Sequence, residues 1–141
     1  MPKNFNRVLI ADDQEFTRKT LRALIASCSG WEVCGEAADG TQAIQKASEL
    51  QPDLVVLDLR MPVVDGLRAA RAIFKAMPTV PILIYTLFVS PELAVRAKNA
   101  GVRQIVDKAG TPEKLLTAMR VLLSNSIATA RIEGRSGKTA A

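Results

Sequence analysis

The chain contains no histidine among its 141 residues. That absence excludes a histidine kinase, a phosphohistidine carrier and an imidazole-ligated metal enzyme, so any phosphohistidine that donates to this chain must belong to another protein. Aromatic residues are also scarce, at 4%, and Trp31 and Tyr85 are the only Trp and Tyr. No dense basic stripe interleaved with aromatics is visible, so direct nucleic-acid binding by this domain is not expected despite a net charge of +5. Of that charge, a surplus of +2 lies in the last sixteen residues, where Arg131, Arg135 and Lys138 face Glu133. The rest is spread over Arg18, Lys19, Arg22, Arg68, Arg71, Lys75, Arg96, Lys98, Arg103 and others, and reads as a solvated basic surface. No run of about 18 apolar residues occurs, so no membrane span is expected. The start, Met1 to Arg7, lacks the apolar stretch of a secretory signal, and a cytoplasmic protein without a membrane partner is the expectation. The two cysteines, Cys28 and Cys34, flank a predicted turn and read as reduced, partly buried thiols.

What is present is aliphatic. Hydrophobic residues make up 48% of the chain, enough for one domain with a substantial core over 1–125, followed by a flexible basic tail over 126–141. Short apolar runs alternate with helical periods. Strands are predicted over Arg7–Ala11, Trp31–Ala37, Asp53–Asp58, Ile82–Thr86 and Arg103–Asp107. Helices are predicted from about Gln14 to Cys28, from Asp39-Gly40 to Leu50, and after Gly66 with Leu67, Ala70, Phe74 and Met77 on one face. Ser90-Pro91-Glu92 and Thr111-Pro112-Glu113 carry start signals, a hydroxyl followed by Pro and an acid; Gly101 is the expected stop of the fourth helix. Five βα units in a row imply an α/β fold, a doubly wound parallel sheet with five helices on its two faces.

In such a sheet the strand ends converge on one edge, where ligands bind. Asp12-Asp13, Asp58, Thr86 and Lys108 all map there. A single Asp after a strand is often just a cap, but five chemically complementary residues at one edge can hold a hard divalent cation and a phosphoryl group together. Asp58 would act as a nucleophile that needs no general base, and Lys108 would supply fixed positive charge.

The segments Val8-Leu9-Ile10-Ala11-Asp12-Asp13, Gly35-Glu36-Ala37-Ala38-Asp39-Gly40, Asp53 to Pro62, Asp65-Gly66, Tyr85-Thr86 and Asp107-Lys108 occur in an order and spacing that resemble the receiver domain of bacterial two-component response regulators, over about Arg7 to Leu123. Among receivers the chain is most similar to those usually fused to a helix-turn-helix DNA-binding domain. The resemblance implies a flavodoxin-like sheet in the order 2-1-3-4-5. It implies Asp58 as phosphoacceptor, and Mg²⁺ held by Asp13, Asp58 and the main-chain carbonyl of Arg60, with Asp12 on a metal-bound water. Thr86 and Lys108 would contact the phosphoryl oxygens. The implied partners are a sensor histidine kinase or phosphotransfer protein, an unknown output protein or a fused DNA-binding domain missing from this chain, and a phosphorylation-dependent homodimer.

Two positions depart from the receiver pattern: Ile105 stands where many receivers carry an aromatic, and Leu87 where many carry alanine. Ile105 is expected to pack under the last helix. Both a complete single-domain regulator and a fragment of a DNA-binding one fit the sequence; the tail resembles neither a second domain nor a folded linker, which favours the complete version slightly. It is expected not to be a turnover enzyme. The alternative is a Mg-dependent aspartate-nucleophile phosphohydrolase, a class that needs a second acid two residues after the nucleophile, where this chain has Arg60.

Overall fold

The computed structural model describes residues 5–125. The expected tail, 126–141, lies outside the described residues. The strands are β1 (Asn6–Ala11), β2 (Trp31–Ala37), β3 (Leu54–Leu57), β4 (Ile82–Thr86) and β5 (Gln104–Asp107). The helices are α1 (Glu15–Ala26), α2 (Gly40–Leu50), α3 (Gly66–Ala76) and α4 (Pro91–Asn99), followed by α5, helical over 112–125. All neighbouring strands pair in parallel, in the order β2-β1-β3-β4-β5. This is the expected doubly wound fold, and the winding reverses between β1 and β3.

Burial follows from the period of two along each strand. Val8, Ile10, Leu54, Val56, Leu83 and Val106 face one way and pack with Leu21 and Ile25 of α1 and Leu115, Met119, Leu122 and Leu123 of α5. Leu9, Ala11, Val55, Leu57, Ile82 and Ile84 face the other way, onto α2, α3 and α4. There the helices present small residues, Ala43, Ala47, Ala69, Ala70 and Ala97, which let them sit close to the sheet. Truncating Leu57 or Ile84, both fully buried, would cost about 2–5 kcal/mol, since neither face can close over the gap.

Several boundaries differ from expectation. Helix α1 runs from Glu15 to Ala26 rather than from Gln14 to Cys28; Gln14 is its N-cap without a side-chain cap bond. Asp53 and Asp58 fall outside β3, and β5 starts at Gln104 rather than Arg103. Met77 is the C-cap of α3, and Phe74 is 39% exposed rather than core. Phe74 instead covers Gly101, which ends α4 at φ +89°; a Cβ there would lie 2.3 Å from the Phe74 ring. The C-terminal ends of α3 and α4 are therefore adjacent. Ile105 pairs with Ile84 and packs with the cluster on the α4 side, not under α5. The reason is parity: Val106, its neighbour, takes the α5 face.

Candidate metal and phosphoacceptor site

Pairing of the strand ends builds the site. The Asp58 amide donates to the Ala11 carbonyl at 2.8 Å, which sets the first residue after β3 beside Asp12. The Lys108 amide donates to the Thr86 carbonyl at 2.9 Å and does the same for β5 and β4. All five sequence-selected side chains thus come to one edge.

Asp12 is 1% exposed, and each of its carboxylate oxygens accepts a hydrogen bond. Oδ1 accepts from the Gln14 amide at 2.9 Å, and Oδ2 accepts from Lys108 Nζ at 2.6 Å. The same ammonium lies 3.4 Å from Asp58 Oδ2. Asp58 is also buried, and its Oδ1 accepts from the Leu59 amide at 2.8 Å. Burial pushes the Asp58 carboxyl above its ordinary pKa; the Lys108 charge pulls it down, and Asp12 pushes it further up. Asp13 is exposed, and one carboxylate oxygen from each of Asp12, Asp13 and Asp58 falls within a common 4.8 Å. Three hard anionic oxygens at that spacing fit a small divalent cation such as Mg²⁺, which would relieve their repulsion.

Thr86 is fully buried, and its Oγ1 accepts from the Phe88 amide at 3.2 Å. The following residues, Leu87, Phe88 and Val89, are exposed. Arg60 is expected to contribute its main-chain carbonyl, yet its side chain has a partner of its own: the guanidinium stacks on the Phe88 ring, 3.7 Å from the centroid. Residue spacing gave no signal for this contact, because it joins two loops that meet only through the β3–β4 pairing. The loop carrying Arg60 is itself fixed by Gly66, whose amide donates to the Leu59 carbonyl at 2.8 Å. A Cβ at Gly66 would lie 2.2 Å from the Asp58 carbonyl oxygen. In the same loop Val63 has φ +68°, a strained conformation for a β-branched residue. Asp13, Arg60, Met61, Pro62, Asp65 and Arg96 are among the residues lining an open groove of about 580 Å³ beside the carboxylates.

Comparison with known proteins identifies relatives of this architecture. The family described as response regulator receiver domain matches residues 8–120. A protein-glutamate methylesterase/protein-glutamine glutaminase of Myxococcus xanthus is 44% identical over 104 residues, 72% of this chain and 30% of that protein. The chemotaxis protein CheY of Thermotoga maritima is 34% identical over 113 residues, 80% of this chain and 93% of that protein. Among solved structures, a LuxR-family two-component response regulator from an Aurantimonas species superposes with a TM-score of 0.81 at 32% identity, covering 92% of this chain and 99% of that one. The chain thus spans under a third of the length of the methylesterase and nearly all of CheY.

Proposed function

The chain belongs to the response regulator receiver domain family, and from that premise we propose that Asp58 is the residue that accepts the phosphoryl group, in a Mg²⁺-dependent reaction, from a sensor histidine kinase or phosphotransfer protein. The observation that carries this reading is the position of Lys108 Nζ, 2.6 Å from Asp12 and 3.4 Å from Asp58, beside three carboxylates able to share one cation. Asp13 and Asp58, with the Arg60 main-chain carbonyl, would hold Mg²⁺, and Asp12 would hold a metal-bound water. The metal would supply positive charge to the carboxylates and to the transferring group.

This chain's own residues do the rest. Asp58 Oδ2 is the oxygen facing Lys108, whereas Oδ1 is occupied by the Leu59 amide. Oδ2 is therefore the attacking atom, and Lys108 neutralises charge where it builds up. Burial raises the Asp58 pKa, which disfavours the ionised nucleophile; Lys108 acts against that, and a bound cation acts in the same direction as Lys108. Thr86 Oγ1 would turn from the Phe88 amide towards a phosphoryl oxygen. That exchange of partners couples modification to the loop after β4.

The domain works as a switch rather than a turnover enzyme. The hydrolase alternative lacks its second acid, since Arg60 stands at that place with its guanidinium on Phe88. The output protein, a fused domain and a homodimer dependent on phosphorylation belong to the same proposal. Incubation with acetyl phosphate and Mg²⁺, followed by mass spectrometry, should add one phosphoryl mass to the protein and none to Asp58→Asn. Undiminished modification of that variant would reject Asp58, and steady phosphate release from phosphomonoesters would restore the hydrolase reading.

A further inference from the structure

The basic residues that look scattered in the sequence are gathered by the fold. Helix α3 carries Arg68, Arg71 and Lys75 with no acid, and α4 carries Arg96 and Lys98 against Glu92, a net of +4 on two helices compared with +5 for the whole chain. The two helices lie side by side, as the cover of Gly101 by Phe74 requires. Between them Arg68, Arg71, Arg96 and Asn99 line a cavity of about 160 Å³ with Leu67 and Ala100. Among the described residues no carboxylate pairs with any of these three arginines. All three are exposed, and an anion seated between the helices would relieve the repulsion of these like charges.

The cavity does not stand alone. Leu67 and Arg96 also line the larger groove beside the phosphoacceptor site, where Leu59 and Pro62 add apolar surface over the buried Met61 and Leu67. The combined surface runs from an apolar stretch at the β3–α3 loop to a cationic end between α3 and α4. We propose that this surface docks an acidic segment of a partner protein, with apolar side chains on Leu59 and Pro62 and carboxylates on Arg68, Arg71 and Arg96.

Charge and size select this occupant. At about 160 Å³ the cationic cavity is below the roughly 300 Å³ at which small-ligand sites begin, yet it has room for the carboxylates that a guanidinium fork grips. Asp13 and Asp65 stand on the groove side, so they repel an acidic segment there and set its direction, acids towards α4. A nucleic acid backbone would gain nothing from the apolar stretch, and no Trp or Tyr lies among the lining residues to stack a base. The proposal stands apart from the phosphoacceptor assignment, because the surface needs neither metal nor phosphoryl group.

The test uses a fluorescent peptide of about ten residues, two leucines followed by four glutamates, with its glutamine counterpart, a duplex DNA of about 20 base pairs, and inorganic phosphate as competing probes. It is run on the full chain without Mg²⁺ or phosphodonor, so its outcome is independent of Asp58. The glutamate peptide should bind saturably, move the amide signals of Leu67 to Arg71 and Arg96 to Ala100, and bind at least about fivefold more tightly than the glutamine peptide. Replacing both Arg71 and Arg96 by Ala should weaken it about tenfold, and Arg120→Ala on α5 should change it less than about twofold. Matching melting temperatures would exclude misfolding, and the comparison of the two peptides needs no variant at all. Equal loss in Arg120→Ala, tighter binding of DNA than of peptide, displacement of nothing but phosphate, or amide shifts elsewhere would each overturn the proposal.

Discussion

Arg60 and Phe88 clasp two loops across the mouth of the carboxylate site, with the guanidinium 3.7 Å from the ring centroid. The Phe88 amide is in turn held by Thr86 Oγ1 at 3.2 Å, so a single residue reports on both the β3 and the β4 ends. A half-exposed stack of this kind contributes about 0.5–1 kcal/mol. Arg60→Ala and Phe88→Ala should each speed amide exchange at Leu87, Phe88 and Val89. The double variant should lose no more stability than the worse single one, since both remove the same contact. Additive losses in a denaturation cycle would show that the two side chains act separately.

Asp13 is the exposed member of a set of three carboxylates whose oxygens share a 4.8 Å space. Asp13→Asn removes a like charge from the metal-free protein and one donor from the metal-bound one. The melting temperature without Mg²⁺ should rise by roughly 1–4 °C, a modest gain because solvent screens an exposed charge. The further rise that Mg²⁺ gives the native protein should disappear. Identical Mg²⁺ titrations of the two proteins, followed by thermal melting, would remove Asp13 from the metal site.

Cys34, half-buried on β2, has its thiol pushed up from the ordinary pKa of 9.0, first by burial, with Arg7 opposing. A raised folded-state pKa favours the neutral thiol. Its contribution to stability is therefore complete below the ordinary value and is lost as pH rises through the folded one. The thiolate is the reactive form. In a Cys28→Ser background, alkylation of Cys34 by iodoacetamide should follow a pH profile displaced upward from that of a free cysteine peptide. A profile displaced downward would contradict the burial argument.

The strands were legible because a parallel sheet buried on both faces needs unbroken apolar runs, as in Val8 to Ala11 and Leu54 to Leu57. The edge residues were legible because Asp12, Asp58, Thr86 and Lys108 each follow or close such a run. The side on which Ile105 packs could not be read from one residue's chemistry, since it depends on its register with Ile84. The α3–α4 arginines were visible one by one but not as a group. Arg71 and Arg96 are 25 positions apart in sequence, and packing of Phe74 on Gly101 is what aligns their helices. The Arg60–Phe88 stack was hidden for the same reason.

The side chain of Ile105 also bears on how the phosphorylated state would be transmitted. It is stiff at χ1, lacks a polar tip and packs partly buried with the cluster that holds Ile84. Its strand is pinned at the far end by the Lys108 amide on the Thr86 carbonyl, a backbone bond that a turn of the Thr86 side chain leaves intact. The loop after β4 has no such anchor. Its Phe88 amide depends on Thr86 Oγ1, and Leu87, Phe88 and Val89 are exposed. Moving that hydroxyl towards a phosphoryl oxygen would free the Phe88 amide and pass the change along the loop to Ser90, whose Oγ caps α4 by accepting from the Leu93 amide at 3.1 Å. Beryllofluoride with Mg²⁺, as a phosphoryl mimic, should therefore perturb amide signals from Thr86 to Gly101 more than those from Arg103 to Val106. Larger shifts on β5 would route the signal through Ile105 instead.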